Sequence, residues 1–510
     1  MSPARLLAIG LDAADAPLLL GWAREGRLPV LGGLLRSGAE VRLRSHGDLF
    51  PESLWPTIST GKSLGSHGIY NWRVVPHGHY SLDWVRQADG EPIWRMLARE
   101  HLSSLLVDIP YAAPLGHERV TELIGWGQRG SAIVASWPPG LMEEVRARHG
   151  RYPTWSHLHF HRRAFGQRRL LQTLVRMAGV RTRLIAELLR ERPWSFSMVC
   201  YSEPHNAGHE FHRYLEPGTW GHERRRARGM ENGLLRVYQT LDAGVGDLIA
   251  AAGDPLDVLV FSGMGFRSCT SGARLLERVL VGLGYQVPAT ERPARARPLG
   301  ALRSALPWSI RRHLHLRLSQ SAREALMARL WVEATDWSRT RAYAEAEPGV
   351  GFVHLNVRGR DSEGIVEPGP EYEALCDEVA SELLSLREVE SGEPAVVEVL
   401  RPRLEPLPDL VVRLSQERLL AAVRHPRLGV VREDVADVPY SEHTGEGFLM
   451  AAGPGIRPGA TLEADLESLA PTMLALMGVT VPDDFDGEPL SDLLRPPGSV
   501  GAGRSPSGPS

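Results

Sequence analysis

Cysteine is scarce in this 510-residue chain: Cys200, Cys269 and Cys376 are an odd number of residues set far apart. They suggest neither a disulfide framework nor a thiolate zinc site, and such usage fits a reducing compartment. Lysine is scarcer still. Lys62 is the single one, so nearly all positive charge is arginine, which suits bidentate binding of phosphate or carboxylate, although genome bias is the commoner cause of such usage. Long apolar runs are missing too. The N-terminus enters Leu6-Leu7-Ala8-Ile9-Gly10-Leu11-Asp12 at once, without the long apolar region and cleavage site of a signal peptide, and nothing downstream reaches membrane-spanning length. The expectation is a soluble, cytoplasmic protein with no membrane span. Neither sign of charge dominates: 58 basic against 61 acidic residues leave a formal charge of -3. Bulk electrostatics therefore give no reason to expect a nucleic-acid polymer or an anionic membrane as partner.

The chain is long enough for one large α/β domain with insertions, or for two domains. Short apolar runs recur at Leu6 to Leu11, Ser103 to Val107, Ser197 to Tyr201, Asp257 to Phe261, Gly351 to Asn356 and Gly447 to Ala452. Helical stretches separate most of them, among them Pro17 to Leu35, Arg168 to Arg190 and Tyr372 to Arg387. Strands alternating with helices predict an α/β fold, with a mixed, largely parallel sheet sandwiched by helices. Ligands in such sheets bind beyond the carboxyl ends of the strands, where Asp12, Tyr201 to His209 and Ser262 to Gly265 fall. Residues 1–286 and 338–494 are assigned to this core. The arginine-rich segment 287–337 reads as a helical insertion or cap, and the Pro/Gly/Ser tail 495–510 is expected to be disordered.

Two stretches could carry chemistry. In Phe50-Pro51-Glu52-Ser53-Leu54-Trp55-Pro56-Thr57-Ile58-Ser59-Thr60-Gly61-Lys62, Ser53 stands where a helix N-cap belongs, Pro56 is tolerated in the first turn and Gly61 supplies a stop. A hydroxyl there would lie in the field of exposed backbone amides, a good place for phosphate and for a nucleophile attacking it, though most such serines are only caps. Lys62 could counter substrate charge, or merely complement the helix dipole. The second stretch, Tyr201-Ser202-Glu203-Pro204-His205-Asn206-Ala207-Gly208-His209, puts two histidines four apart on one side of a helical turn. Two-histidine zinc sites use that geometry, and His443 in Tyr440-Ser441-Glu442-His443-Thr444-Gly445 could be the third ligand.

With these motifs in this order, together with His67-Gly68-Ile69, Ala452-Gly453-Pro454-Gly455-Ile456, Leu469-Ala470-Pro471-Thr472 and Asp486-Gly487, the chain resembles the alkaline phosphatase superfamily. It is most similar to the type I phosphodiesterase/nucleotide pyrophosphatase branch. The resemblance implies a hydrolase or transferase acting on a small-molecule phosphodiester or phosphate ester, with two zinc ions. One ion maps to His205, His209 and His443, with histidine where aspartate is usual. The other maps to Asp12, the nucleophile Ser53 and a strand end that here reads Gly263-Met264 in place of aspartate and histidine. Ser53 is also two residues out of register, since the family's nucleophile position falls on Pro51. The expectation is one zinc, with the second in doubt. Three readings stay open: a single-zinc enzyme; a two-zinc enzyme completed by His46, Asp48, His67, Glu203 or His212; and a degenerate member that binds a phosphorylated or sulfated ligand, or a protein partner, without turnover.

Overall fold

The computed structural model describes residues 5–496 apart from 77, 79, 86, 89, 129–132, 154–163, 216–229, 290–319, 346, 348 and 434–440. Its first strand, β1 (Leu6–Leu11), is buried along its whole length, as a strand is only when both faces of its sheet are covered. The sheet also takes in β2 (Ala39–Arg44), β3 (Ser104–Val107), β4 (Val120–Ile124), β5 (Ala135–Trp137), β6 (Phe196–Tyr201) and β7 (Asp257–Ser262). Then come β8 (Gly265–Ser268), the four strands β9 (Ala342–Glu345), β10 (Val350–Leu355), β11 (Val396–Leu400) and β12 (Leu410–Leu414), and finally β13 (Ser441–Thr444), β14 (Glu446–Ala452) and β15 (Thr461–Asp465).

The main sheet has nine strands in the order β15-β2-β14-β7-β1-β6-β3-β4-β5. Most neighbours are parallel; β14 runs antiparallel between β2 and β7, and β5 antiparallel at the edge. The α/β expectation therefore holds. Period-two alternation splits β1 between two cores. Leu7, Ile9 and Leu11 join one apolar cluster with Leu174, Leu184 and Leu241, while Leu6 and Ala8 join another with Trp55, Trp94 and Leu469. The helices over the first face are α1 (Ala16–Arg24), α3 (Ala164–Glu191) and α5 (Gly233–Ala252); α2 (Leu54–Thr60) lies over the second, and α4 (Glu203–Phe211) follows β6.

Two expectations change. Pro17 to Leu35 is two helices, Ala16–Arg24 and Pro29–Ser37, because proline favours a helix start and Pro29 begins the second. The run Gly351 to Asn356 does not enter the main sheet. As β10 it sits inside a separate antiparallel sheet of order β9-β10-β12-β11. That sheet has its own core, with Leu355, Val379 and Leu410 buried among its neighbours. Strand β2 went unread, although its burial alternates at almost every residue. Within the segment expected to be an insertion, Gln320–Ala334 is helical, while 290–319 lie outside the described residues, as does the tail from 497.

Candidate metal centre

The register places the site. β1 lies between β6 and β7, all parallel, with Leu11 opposite Tyr201 and Gly10 opposite Phe261. The three carboxyl ends therefore finish side by side, and Asp12, the start of α4 and the Gly263-Met264 corner meet there. The third histidine arrives by a different route. β13 pairs antiparallel with β8, setting His443 directly opposite Phe266.

On α4, His205 and His209 lie one turn apart and face His443. Ring centroids are 4.9 Å apart for His205–His209, 4.8 Å for His205–His443 and 5.0 Å for His209–His443. One nitrogen from each ring can be chosen so that all three lie within 4.8 Å of one another, the single such group of metal-binding side chains among the described residues. The Nε2 atoms of His205 and His209 are 3.1 Å apart. Tetrahedral zinc with bonds of about 2.0–2.1 Å needs its nitrogens roughly 3.3 Å apart; the His205–His209 pair already meets that spacing, and the full spread of up to 4.8 Å would close on such an ion by turning the rings inward.

Phe266 forms the floor, its ring 4.7 Å from that of His443 and 4.9 Å from that of His209. The helix can settle on this ring because residue 208 is glycine: a Cβ there would lie 2.0 Å from Cε2 of Phe266. Asp15 fixes the floor from below, capping α1 through the Leu18 N–H and also accepting the Phe266 N–H at 3.2 Å. Sequence reading missed Asp15. The signal available was its place just before Ala16-Pro17, where an aspartate caps a helix.

The first residue of α4 is tied down just as firmly. Glu203 accepts from the Tyr152 hydroxyl at 2.8 Å and from Arg181 Nε at 3.1 Å, and Arg181 also pairs with Asp108, all three ionic side chains being fully buried. Glu203 is thus committed to Arg181 and not to the histidines.

Asp12 meets the cluster from the end of β1. Its Oδ1 accepts the indole N–H of Trp55 at 2.9 Å, and its Oδ2 lies 2.8 Å from Nδ1 of His205. Trp55 can reach so far in because Gly10 leaves room: a Cβ on Gly10 would lie 2.3 Å from the indole. Burial alone would raise the Asp12 carboxyl; His205, with the Trp55 N–H, more than offsets it and holds the group below the usual carboxylate range.

Other expected site residues are placed differently. Ser53 closes a short 3-10 turn before α2, is 3% exposed and makes no side-chain cap bond; its hydroxyl donates to the Phe50 carbonyl at 2.7 Å. Lys62 follows the far end of α2, where it pairs with Asp484 at 2.6 Å. His67 takes the Ile69 N–H on Nδ1 at 3.0 Å and faces Thr57 with Nε2 at 3.2 Å, and burial lowers its pKa to about 4. Asp48 pairs with Arg413, His46 is exposed, and His212 sits beyond the Phe266 ring, its centroid 6.5 Å away. None of them joins the cluster. Met264 is buried, and Gly263 faces Leu54 and Leu466. Apolar side chains fill the corner where the resemblance calls for a second ion, and these residues do not fit one.

A mixed α/β sheet with a histidine cluster at the carboxyl ends of its central strands defines an alkaline phosphatase-type fold. The chain belongs to the type I phosphodiesterase / nucleotide pyrophosphatase family, whose model matches residues 6–409. The match spans Asp12, Ser53, Lys62, His205 and His209; His443 lies beyond it and is placed by the geometry alone. Solved structures similar to this chain include human ectonucleotide pyrophosphatase / phosphodiesterase 5, at 12% identity and TM-score 0.46, covering 96% of this chain and 100% of that one. The murine protein of the same name is 13% identical, with TM-score 0.48 and the same coverage. Among curated proteins no sequence match was found. Among the described residues no helix is long and apolar enough to cross a membrane.

Proposed function

We propose that this chain hydrolyses a phosphodiester or phosphate ester of a small molecule, using a single zinc ion held by His205, His209 and His443. The observation that carries the reading is the convergence of three imidazoles at the carboxyl ends of the central strands, with ligand atoms within 4.8 Å. Three protein ligands leave a coordination position open, and zinc so held supplies Lewis acidity and lowers the pKa of a water towards about 7. The chain supplies the aromatic wall of Phe266, its ring 4.7 Å from that of His443, and such an apolar wall strengthens any charge interaction made beside it.

Two sources of nucleophile are compatible with this reading. Ser53 would give a covalent intermediate, but its hydroxyl is buried and donates to the Phe50 carbonyl, so it would have to rotate and lose that bond before attacking. Direct attack by water is therefore favoured; Lys62, paired with Asp484, would have to leave that partner to counter substrate charge.

Metal analysis and turnover of an aryl phosphodiester test the proposal together. Purified protein should hold about one zinc per chain, and His209→Ala should lose both metal and activity. Ser53→Ala should retain zinc and most of the rate on the water route, and lose the rate on the serine route. Protein that holds zinc yet turns over no diester, monoester or sulfate ester would leave only the ligand-binding reading.

A further inference from the structure

The geometry points to Asp12 as the positioning residue for His205, locked in that task by Trp55, and not as a ligand to any metal ion; the inference rests on the single-zinc reading above. Both carboxylate oxygens are engaged. Oδ1 accepts the Trp55 indole N–H at 2.9 Å, and an indole nitrogen can only donate. Oδ2 lies 2.8 Å from Nδ1 of His205. An ionised carboxylate only accepts, so Nδ1 must carry the ring proton. That leaves the lone pair of His205 on Nε2, the atom 3.1 Å from His209 and turned into the cluster. A carboxylate behind an imidazole fixes its tautomer and orientation and raises its basicity as a ligand.

The neighbourhood supports the reassignment. A second ion would need partners beside Asp12, but the Gly263 corner is filled by Leu54 and Leu466, with Met264 buried next to it. Ser53 is turned to a backbone carbonyl. With no second ion to hold, the aspartate that ends β1 acts through His205 instead. Trp55 is a positioning residue one step further back, because its indole settles which oxygen is left for the histidine.

The test is zinc affinity, measured by competition with a chromophoric chelator on wild-type protein, Asp12→Asn, Trp55→Phe and the double variant, with thermal unfolding of the zinc-free forms as a folding control. Asparagine offers one acceptor and one NH₂ group. In Asp12→Asn the Trp55 N–H claims the acceptor, the NH₂ faces Nδ1 of His205, and the imidazole proton is driven to Nε2, where it blocks ligation. Affinity should fall on the order of 10–100-fold, with stoichiometry still one. Removing the indole N–H in the double variant frees the amide oxygen to turn towards Nδ1, so affinity should recover above that of Asp12→Asn alone. A merely structural role predicts the opposite, a double variant at least as impaired as either single one.

Unchanged affinity in Asp12→Asn, or a double variant no better than Asp12→Asn, would overturn the inference and leave the single-zinc reading intact. Two zinc ions on wild-type protein, falling to one in Asp12→Asn, would make Asp12 a direct ligand and overturn it as well. Wild-type protein that binds no zinc would overturn the reading of the site itself, and this inference with it.

Discussion

Leu466 occupies the space that a side chain at Gly263 would need: a Cβ there would lie 3.2 Å from Cδ1 of Leu466 and 3.3 Å from Cδ1 of Leu54. The corner thus lacks the two ligands that the resemblance calls for and is also crowded by leucine side chains. Restoring the family's pair with Gly263→Asp and Met264→His should therefore not restore a second ion. We expect the double variant to keep one zinc and to lose about 1–3 kcal/mol of stability through overpacking and a buried charge. Adding Leu466→Ala should relieve part of that loss. Urea midpoints and metal analysis check both points, and two zinc ions in the double variant would sink the idea.

Gly208 offers a prediction in which tertiary packing and local propensity have opposite signs. Glycine to alanine inside a helix ordinarily gains up to about 1 kcal/mol. Here the new methyl would meet the Phe266 ring, 2.0 Å from its Cε2. Gly208→Ala should instead destabilise by about 1–3 kcal/mol and weaken zinc binding, since both histidines ride on the displaced helix. Calorimetry of the variant, with and without Phe266→Ala to reopen the space, decides which effect wins.

His67 should make stability depend on pH. Burial holds its pKa at about 4, below the ordinary histidine value of 6.5, so the unfolded chain binds the proton more readily than the folded one. Its contribution is present above the unfolded pKa and is lost as pH falls from about 6.5 towards about 4. Between pH 7 and 5 the loss should be on the order of 2 kcal/mol. In His67→Gln the slope over that interval should be shallower by this amount. Denaturant titrations of the two proteins at the two pH values measure it, and parallel slopes would rule it out.

Arg181 is fully buried between Asp108 and Glu203. Replacing one member of such a group strands the remaining charges, typically at a cost of about 3–5 kcal/mol. Arg181→Met should fall in that range and loosen the start of α4, lowering zinc affinity. A loss below about 1 kcal/mol in urea unfolding would mean that the two carboxylates protonate or find other partners.

Much of this was legible in the residues. Short apolar runs alternating with helical stretches predicted the α/β fold, and two histidines four apart on a helix just after a buried strand predicted their shared face. The partnership of Asp12 with His205 was not legible, because it depends on the parallel register of β1 with β6 and on the indole of Trp55 crossing over Gly10. Ser53 looked like a cap because local sequence cannot show that a 3-10 turn sends its hydroxyl back to Phe50. Lys62 looked available for substrate because Asp484, its partner, is far along the chain. Buried ion pairs such as Arg181 with Asp108 and Glu203 leave almost no local trace, since each residue alone reads as surface charge.

The rings of His209 and His443 are 5.0 Å apart, yet the whole antiparallel sheet β9 to β12 is threaded between them in sequence. For a flexible chain the entropy of closing such a loop grows only with the logarithm of its length, about 0.6 kcal/mol per doubling. The centre is therefore nearly indifferent to how much polypeptide lies in between. The intervening segment can lengthen, shrink or change its surface while α4 and β13 stay in place, so one arrangement of histidines is compatible with many different outer walls.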